Sequence, residues 1–405
     1  MLSCAFRSDS GKMMTMPAKK GDLLTFSNDE TDFYTSYSKD IPDTMLFQFK
    51  DTLIFLNSKL VGIEINASRN MIPWFRKMQP EDIKGLKSLF IKSFIPDAYL
   101  PYLDTISKIK PVIDLFMEDT IETTANELQW LSERFRPEIL STTISFKNVQ
   151  TLQKFNSVKT LLISIEDSAA TYILPNIPEM RELFIFSNDD SISIPTDFLI
   201  KNTQLESLSL YGDFDVGKFE WKTMQNLKAL RIYESDSTPS SPFSDYLPNL
   251  ESLQLFGVEN ITLNDLKGFK HLKELGLPET VNQEIFDQVV KNNKDLELLQ
   301  IHNTDTLLIN DFSVLNSAKH FQYLMITSDG VNANSLYNLT KLKYLSLPKK
   351  FFDDSTQVAA LKKALPDTVI VPNQGVCMGS GWLLLLIPLV AIGVFAGKKY
   401  LSKAA

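Results

Sequence analysis

The chain has 405 residues, a net charge of −8 and a pI near 5.2, with 44% hydrophobic and 22% charged residues. That length is ample for an elongated domain with its own core, while the acidic balance and the lack of a Lys/Arg-rich run inside it argue against nucleic acid as a partner. The only cysteines, Cys4 and Cys377, lie at opposite ends, which excludes a disulfide framework, a CxxC redox pair and a cysteine-based zinc site.

In chain order, residues 1–20 form a polar tail broken by Arg7, Asp9, Lys12, Lys19 and Lys20, without the apolar stretch of a signal peptide. Leu2-Ser3-Cys4 matches the end of a bacterial lipoprotein signal, so Cys4 is the candidate for lipidation if the true start lies upstream. Residues 21–80 read as a β-rich capping region, with apolar runs at Leu46–Phe49, Leu53–Leu56 and Leu60–Ile65 separated by polar breaks. Short antiparallel strands are expected there, and a repeat array needs such an atypical unit to cover its exposed end. A helical stretch follows at Pro80 to Gly85.

The array is expected over residues 81–372, beginning at Leu86-Leu89-Ile91. Between Lys110 and Phe146 the pattern fits only in part, at Ile113-Leu115 and Ile144-Phe146, with a helix expected at Thr123 to Phe135. From Val158 to Leu347 it is regular. The spacing apolar-x-x-apolar-x-apolar recurs at Val158-Leu161-Ile163, Met180-Leu183-Ile185, Leu205-Leu208-Leu210, Leu227-Leu230-Ile232, Leu250-Leu253-Leu255, Leu272-Leu275-Leu277, Leu296-Leu299-Ile301, Phe321-Leu324-Ile326 and Leu342-Leu345-Leu347. Successive first positions lie 21 to 25 residues apart, with a mean of 23.

The last two apolar positions alternate with their neighbours as a half-buried strand requires, and one short strand cannot bury that face alone. Apolar clusters after the strands, such as Leu263, Leu266 and Phe269, or Phe286 and Val289, or Leu336 and Leu339, supply the opposite wall. The pattern resembles the leucine-rich repeat family. That resemblance implies an α/β fold: a leucine-rich repeat solenoid with a curved parallel sheet, a helical or irregular convex side and a binding surface on the concave face. One column departs from the family, which often carries Asn or Cys eight positions after the first apolar residue. Here it reads Asn188, Asp213, Ser235, Val258, Thr280, Thr304, Asp329 and Lys350.

A last helical turn at Thr356 to Leu365 leads into a closing strand at Val369-Ile370-Val371. Residues 373–378 are a linker, and Gly379 to Gly397 contains no charged residue. Those 19 residues span roughly 28 Å as a helix against a hydrocarbon core of ~30 Å, so a single transmembrane helix is expected over 379–397, kinked at Pro388. Trp382 marks one interface; Lys398 and Lys399, with Tyr400 and Lys403 in the basic tail 398–405, mark the other. A basic tail kept in the cytoplasm puts the repeats outside, in a bacterial cell envelope, and requires an export signal. The alternative is a tail-anchored protein with cytosolic repeats, which must carry three lysines across the bilayer. A third arrangement reads Gly375 and Gly379-Ser380-Gly381 before the apolar helix as a sorting signal that is cut.

No enzyme chemistry is legible: His271, His302 and His320 occur singly, and no GxGxxG, GxxxxGK[ST], GxSxG or HExxH is present. No catalytic residue, cofactor or metal is expected, and the acidic pairs Asp189-Asp190 and Asp353-Asp354 read as solvated loop charges. The concave face carries the interest. Residues following the third apolar position point outward, and the column reads Phe186, Tyr211, Tyr233, Phe256, Pro278, His302, Thr327 and Pro348. Beside it runs Phe184, Ser209, Arg231, Gln254, Gly276, Gln300 and Met325. With strands ~4.8 Å apart, four aromatics make one ridge flanked by Arg231 and Gln254, and aromatics with Arg are what interface hot spots favour. A protein or peptide partner is expected there, contacting Phe184, Phe186, Tyr211, Arg231, Tyr233, Gln254, Phe256 and His302. The competing expectation is a scaffold without a specific ligand, in which neighbouring rings merely cover the sheet.

Overall fold

A computed structural model of the chain describes residues 59–372, apart from 118–123, 146–147, 166–173, 188–200, 218–222, 303–306 and the single positions 69, 93, 215, 236 and 279, together with six short strands before residue 57. The chain divides into two compact units, residues 1–60 with 371–405, and residues 61–370. Cys4, Trp382, Pro388, Lys398 and Lys399 lie outside the described residues. Among the described residues no helix is long and apolar enough to cross a membrane.

The first unit is antiparallel. Strands β1 (Ala5–Arg7) and β2 (Lys12–Thr15) pair with each other, and β3 (Leu23–Ser27) pairs with β4 (Phe33–Tyr37) in a separate two-stranded sheet. Strand β5 (Leu46–Lys50) pairs antiparallel with β2 and with β6 (Leu53–Leu56).

The second unit is a parallel stack. Its strands are β7 (Lys59–Ile65), β8 (Ser88–Ile91), β9 (Asp114–Met117), β10 (Ile139–Ile144), β11 (Thr160–Ile165), β12 (Glu182–Ser187) and β13 (Ser207–Asp213). They continue with β14 (Ala229–Glu234), β15 (Ser252–Leu255), β16 (Glu274–Pro278), β17 (Leu298–His302), β18 (Tyr323–Ile326), β19 (Tyr344–Leu347) and β20 (Val369–Pro372). From β7 to β19 each strand pairs parallel with the next, so chain order is spatial order. Stacking each strand on its chain neighbours in this way is what defines a solenoid.

Register follows the sequence pattern. Leu161, Leu183, Leu208, Leu230, Leu253, Leu275, Leu299, Leu324 and Leu345 stand abreast on successive strands, and none is more than 1% exposed. The opposite wall is built from the return segments: Leu266 and Phe269, the amphipathic helix Gln283–Asn292 with Phe286 and Val289, and Leu336 with Leu339 are all buried. Phe286 meets Phe312 of the next repeat edge-to-face at 5.7 Å.

Two expectations about where the repeats begin are corrected. Gly62–Ile65, read from the sequence as part of the cap, pairs parallel with Ser88–Ile91 and so joins the repeat stack; Leu60-Ile63-Ile65 carries the repeat spacing itself and is buried. The match at Ile144-Phe146 is also misplaced. The strand there is Ile139–Ile144, with Leu140 opposite Leu161 and Thr142 opposite Ile163. A fully buried threonine occupies a position that elsewhere holds an aliphatic, its hydroxyl donating to the Thr143 carbonyl (3.3 Å), which hides the repeat from an apolar template.

Helix ends obey local chemistry. The helix Ala125–Arg134 starts from a reciprocal capping box between Thr124 and Glu127. Asp354, read from sequence as a loop charge, instead caps Ser355–Ala364 by accepting from the Thr356 and Gln357 amides (2.9 and 3.1 Å). Two buried asparagines tie neighbouring repeats together. Asn202 and Asn293, three positions before Leu205 and Leu296, are fully buried; their amide oxygens accept from Ile177 N–H (3.1 Å) and Leu272 N–H (3.0 Å) of the preceding repeat. A ladder of charges also runs along the strand starts, where Lys159 pairs with Glu138, Lys228 and Arg181 with Glu206, and Lys273 with Glu251.

Candidate functional site

The face of the sheet turned away from the core carries the predicted columns, and strand pairing sets them side by side. Phe186 stands opposite Tyr211 in the pairing of β12 with β13, and Ser209, Arg231, Gln254 and Gly276 are abreast on β13 to β16. The rings do form a row. Phe186 stacks on Tyr211 with centroids 4.8 Å apart, Tyr211 on Tyr233 at 4.1 Å and 17°, and Tyr233 meets Phe256 at 5.4 Å, tilted by 54°. Phe184 adds a looser contact with Tyr211 at 6.4 Å.

A backbone irregularity holds the row in place. Gly212 follows Tyr211 with φ +116°, and a Cβ there would lie 2.4 Å from the Ser187 carbonyl oxygen. Only glycine supplies that conformation and that approach at low cost. The β13–β14 register shifts between Leu210 and Asp213, so Tyr211 sits just past the last regular pair, Leu210 with Ile232, at the start of the irregularity.

The aromatic positions are not equivalent. Phe186, Tyr211 and Tyr233 are half-buried, whereas Phe256 is 4% exposed and Phe184 8%. The reason for Phe256 is Gly276 on the next strand: a Cβ at Gly276 would lie 2.9 Å from two atoms of the Phe256 ring, so the ring fills the space a side chain would occupy. Phe256 and Phe184 are therefore largely covered, which corrects the expectation of four open rings. Gln254 is corrected as well. It is 1% exposed, and its amide oxygen is buried without a hydrogen-bond partner, so it is covered on the outer face rather than presenting an amide to a partner.

Arg231 is half-buried, and its guanidinium donates two long hydrogen bonds, to Ser207 Oγ (3.5 Å) and Ser209 Oγ (3.4 Å). Tyr211 and Tyr233 share a hydrogen bond between their hydroxyls at 3.4 Å. Burial pushes the Tyr233 phenol well above the ordinary tyrosine value, the neighbouring Tyr211 raises it further and the nearby Arg231 cation pulls it back, so this hydroxyl keeps its proton through the neutral range. His302 closes β17 in the aromatic column's register, opposite Pro278, four strands from the Tyr211 strand. The other two histidines are exposed; His271 lies 3.9 Å from Asp295. Among the described residues no cluster of His, Cys, Asp or Glu is arranged to hold a metal.

No protein-family model matches the sequence, and no curated protein matches it. Among solved structures the chain is similar to an internalin of Listeria monocytogenes, with 19% identity, a TM-score of 0.42 and coverage of 77% of this chain and 85% of that one. It is also similar to TLR13 in its complex with ssRNA13, at 14% identity and a TM-score of 0.44, covering 78% of this chain and 54% of that one. A leucine-rich repeat protein of Leptospira interrogans is a third, at 14% identity and a TM-score of 0.31, with 71% and 90% covered.

Proposed function

We propose that the chain is a non-catalytic recognition module whose repeat array binds a protein or peptide partner on the outer face of its sheet, around Phe186, Tyr211 and Tyr233. One observation carries this reading: three stacked, half-exposed rings on consecutive strands β12 to β14, an arrangement of large rigid apolar surface with little conformational entropy left to lose on binding. The anchor belongs to the same proposal. The uncharged sequence of 379–397 with lysines behind it supports a membrane-held module with its repeats outside the cytoplasm.

The test uses the full-length chain in its source membranes. A cross-linker placed at Ser187, next to Phe186 in sequence, should capture a defined partner, and Phe186→Ser should abolish that capture while leaving the fold intact. Capture unchanged by the ridge substitution would favour a scaffold instead. For the anchor, the intact chain should stay with membranes through alkaline washing, and protease added outside intact cells should digest the repeats. Repeats protected until the membrane is broken would establish the tail-anchored alternative.

A further inference from the structure

The aromatic row has a polar neighbour whose chemistry is one-sided. Arg231 and Tyr233 are two residues apart on β14, so they share a face at a separation of ~6.6 Å. A guanidinium offers five N–H donors and accepts nothing; two are engaged here, both by hydroxyls at 3.4–3.5 Å, and no described carboxylate forms an ion pair with it. Tyr211 and Tyr233 share one hydrogen bond between two hydroxyls, which leaves one phenolic proton to donate elsewhere. The cluster is therefore rich in donors and carries a half-buried positive charge, without a described acidic side chain to answer it. Nearby acids are turned to other work: Glu182 accepts from Thr160 on the strand beyond it, and Glu274 from Ser252.

We propose that this face takes an extended peptide in which an acidic side chain lies two residues from an aromatic one, Arg231 holding the carboxylate and the edges of the Phe186–Tyr211–Tyr233 stack holding the ring. The proposal rests on the reading of the outer face as a peptide-binding surface. Spacing supports it, because residues i and i+2 of an extended chain lie on one side ~6.6–6.8 Å apart, matching the step from Arg231 to Tyr233. Because the rings stack face to face, their edges remain for a partner, and the positive edge of an aromatic favours the face of another ring. A single cation suits a single carboxylate. A polyanion such as RNA needs several phosphate contacts in a row, and here the flanking Glu182 and Glu274 and a net charge of −8 oppose it.

Four fluorescein-labelled decapeptide pools test this against the full-length chain by anisotropy. Each pool is degenerate except at two positions: Glu and Phe two apart, Gln and Phe two apart, Lys and Phe two apart, and Glu and Phe adjacent. A labelled 13-nucleotide oligouridylate is the fifth probe. The Glu/Phe pool with the two-residue step should bind at least about tenfold more tightly than the Gln/Phe pool, a difference of ~1.4 kcal/mol. Arg231→Gln should erase the difference and Arg231→Glu should reverse it toward the Lys pool, both with unchanged melting temperature. Equal binding of the Glu and Gln pools overturns this proposal and leaves the peptide-binding reading standing. Binding of no pool overturns both, and preference for the oligonucleotide over every peptide overturns the assignment of the ligand class.

Discussion

The outer face and the core of the same strand should respond differently to truncation, and β13 provides both kinds of residue. Leu208 is fully buried between Leu183 and Leu230, so Leu208→Ala should cost about 2–5 kcal/mol through lost transfer energy and a residual cavity. Tyr211, three residues on, is half-buried and engaged in two stacks, with Phe186 at 4.8 Å and Tyr233 at 4.1 Å. Aromatic pairs contribute about 0.5–1.5 kcal/mol each beyond their area, so Tyr211→Ser should cost about 1–3 kcal/mol. Phe186→Ser breaks only its Tyr211 stack and should cost about 0.5–1.5 kcal/mol. The ridge is thus not free of structural cost, and binding comparisons should rely on Phe186→Ser and Arg231→Gln before Tyr211→Ser. Urea unfolding of the purified chain, followed by far-UV circular dichroism, gives the order directly. If Tyr211→Ser proves as costly as Leu208→Ala, or Leu208→Ala costs less than ~1 kcal/mol against the usual range, the assignment of faces is wrong.

Asn293→Leu should lose about 1–3 kcal/mol in the same assay, because it strands the buried Leu272 N–H; the Val289 carbonyl stays satisfied by the Asn293 backbone, so a loss far above that range would contradict this account. Gln254→Met removes a buried amide oxygen that has no partner and should leave stability unchanged or raise it by ~1 kcal/mol; clear destabilisation would show that the amide is satisfied in solution. Tyr233 has a folded pKa raised above its ordinary value of 10.0 by burial. Its stabilising effect is therefore intact below pH ~10 and lost as the pH climbs further, since the unfolded phenol ionises first. Melting curves between pH 9 and 12 should fall more gently for Tyr233→Phe than for the wild type, and identical slopes would refute the shift.

Much of the fold can be read from the chain because stacking is one-dimensional. Each repeat repeats the same burial, so Leu161, Leu183 and Leu208 announce their register through spacing alone, and Thr124 and Glu127 announce a helix start through local hydrogen bonding. The pattern breaks where one buried position changes chemical type, as Thr142 does in β10, or where a repeat is taken for its cap, as at Leu60-Ile63-Ile65. Sequence also placed Phe186, Tyr211 and Tyr233 on one face in one row. It could not say which outward residues stay open, because that depends on the strand next door. Phe256 is covered since Gly276, 20 residues on, has no side chain; Arg231 reaches Ser207 and Ser209 on β13; Glu206 and Lys228 meet only when two repeats align. Alternation along a strand determines inside from outside, while contact across strands, between residues some 23 positions apart in the chain, determines what the outside can touch.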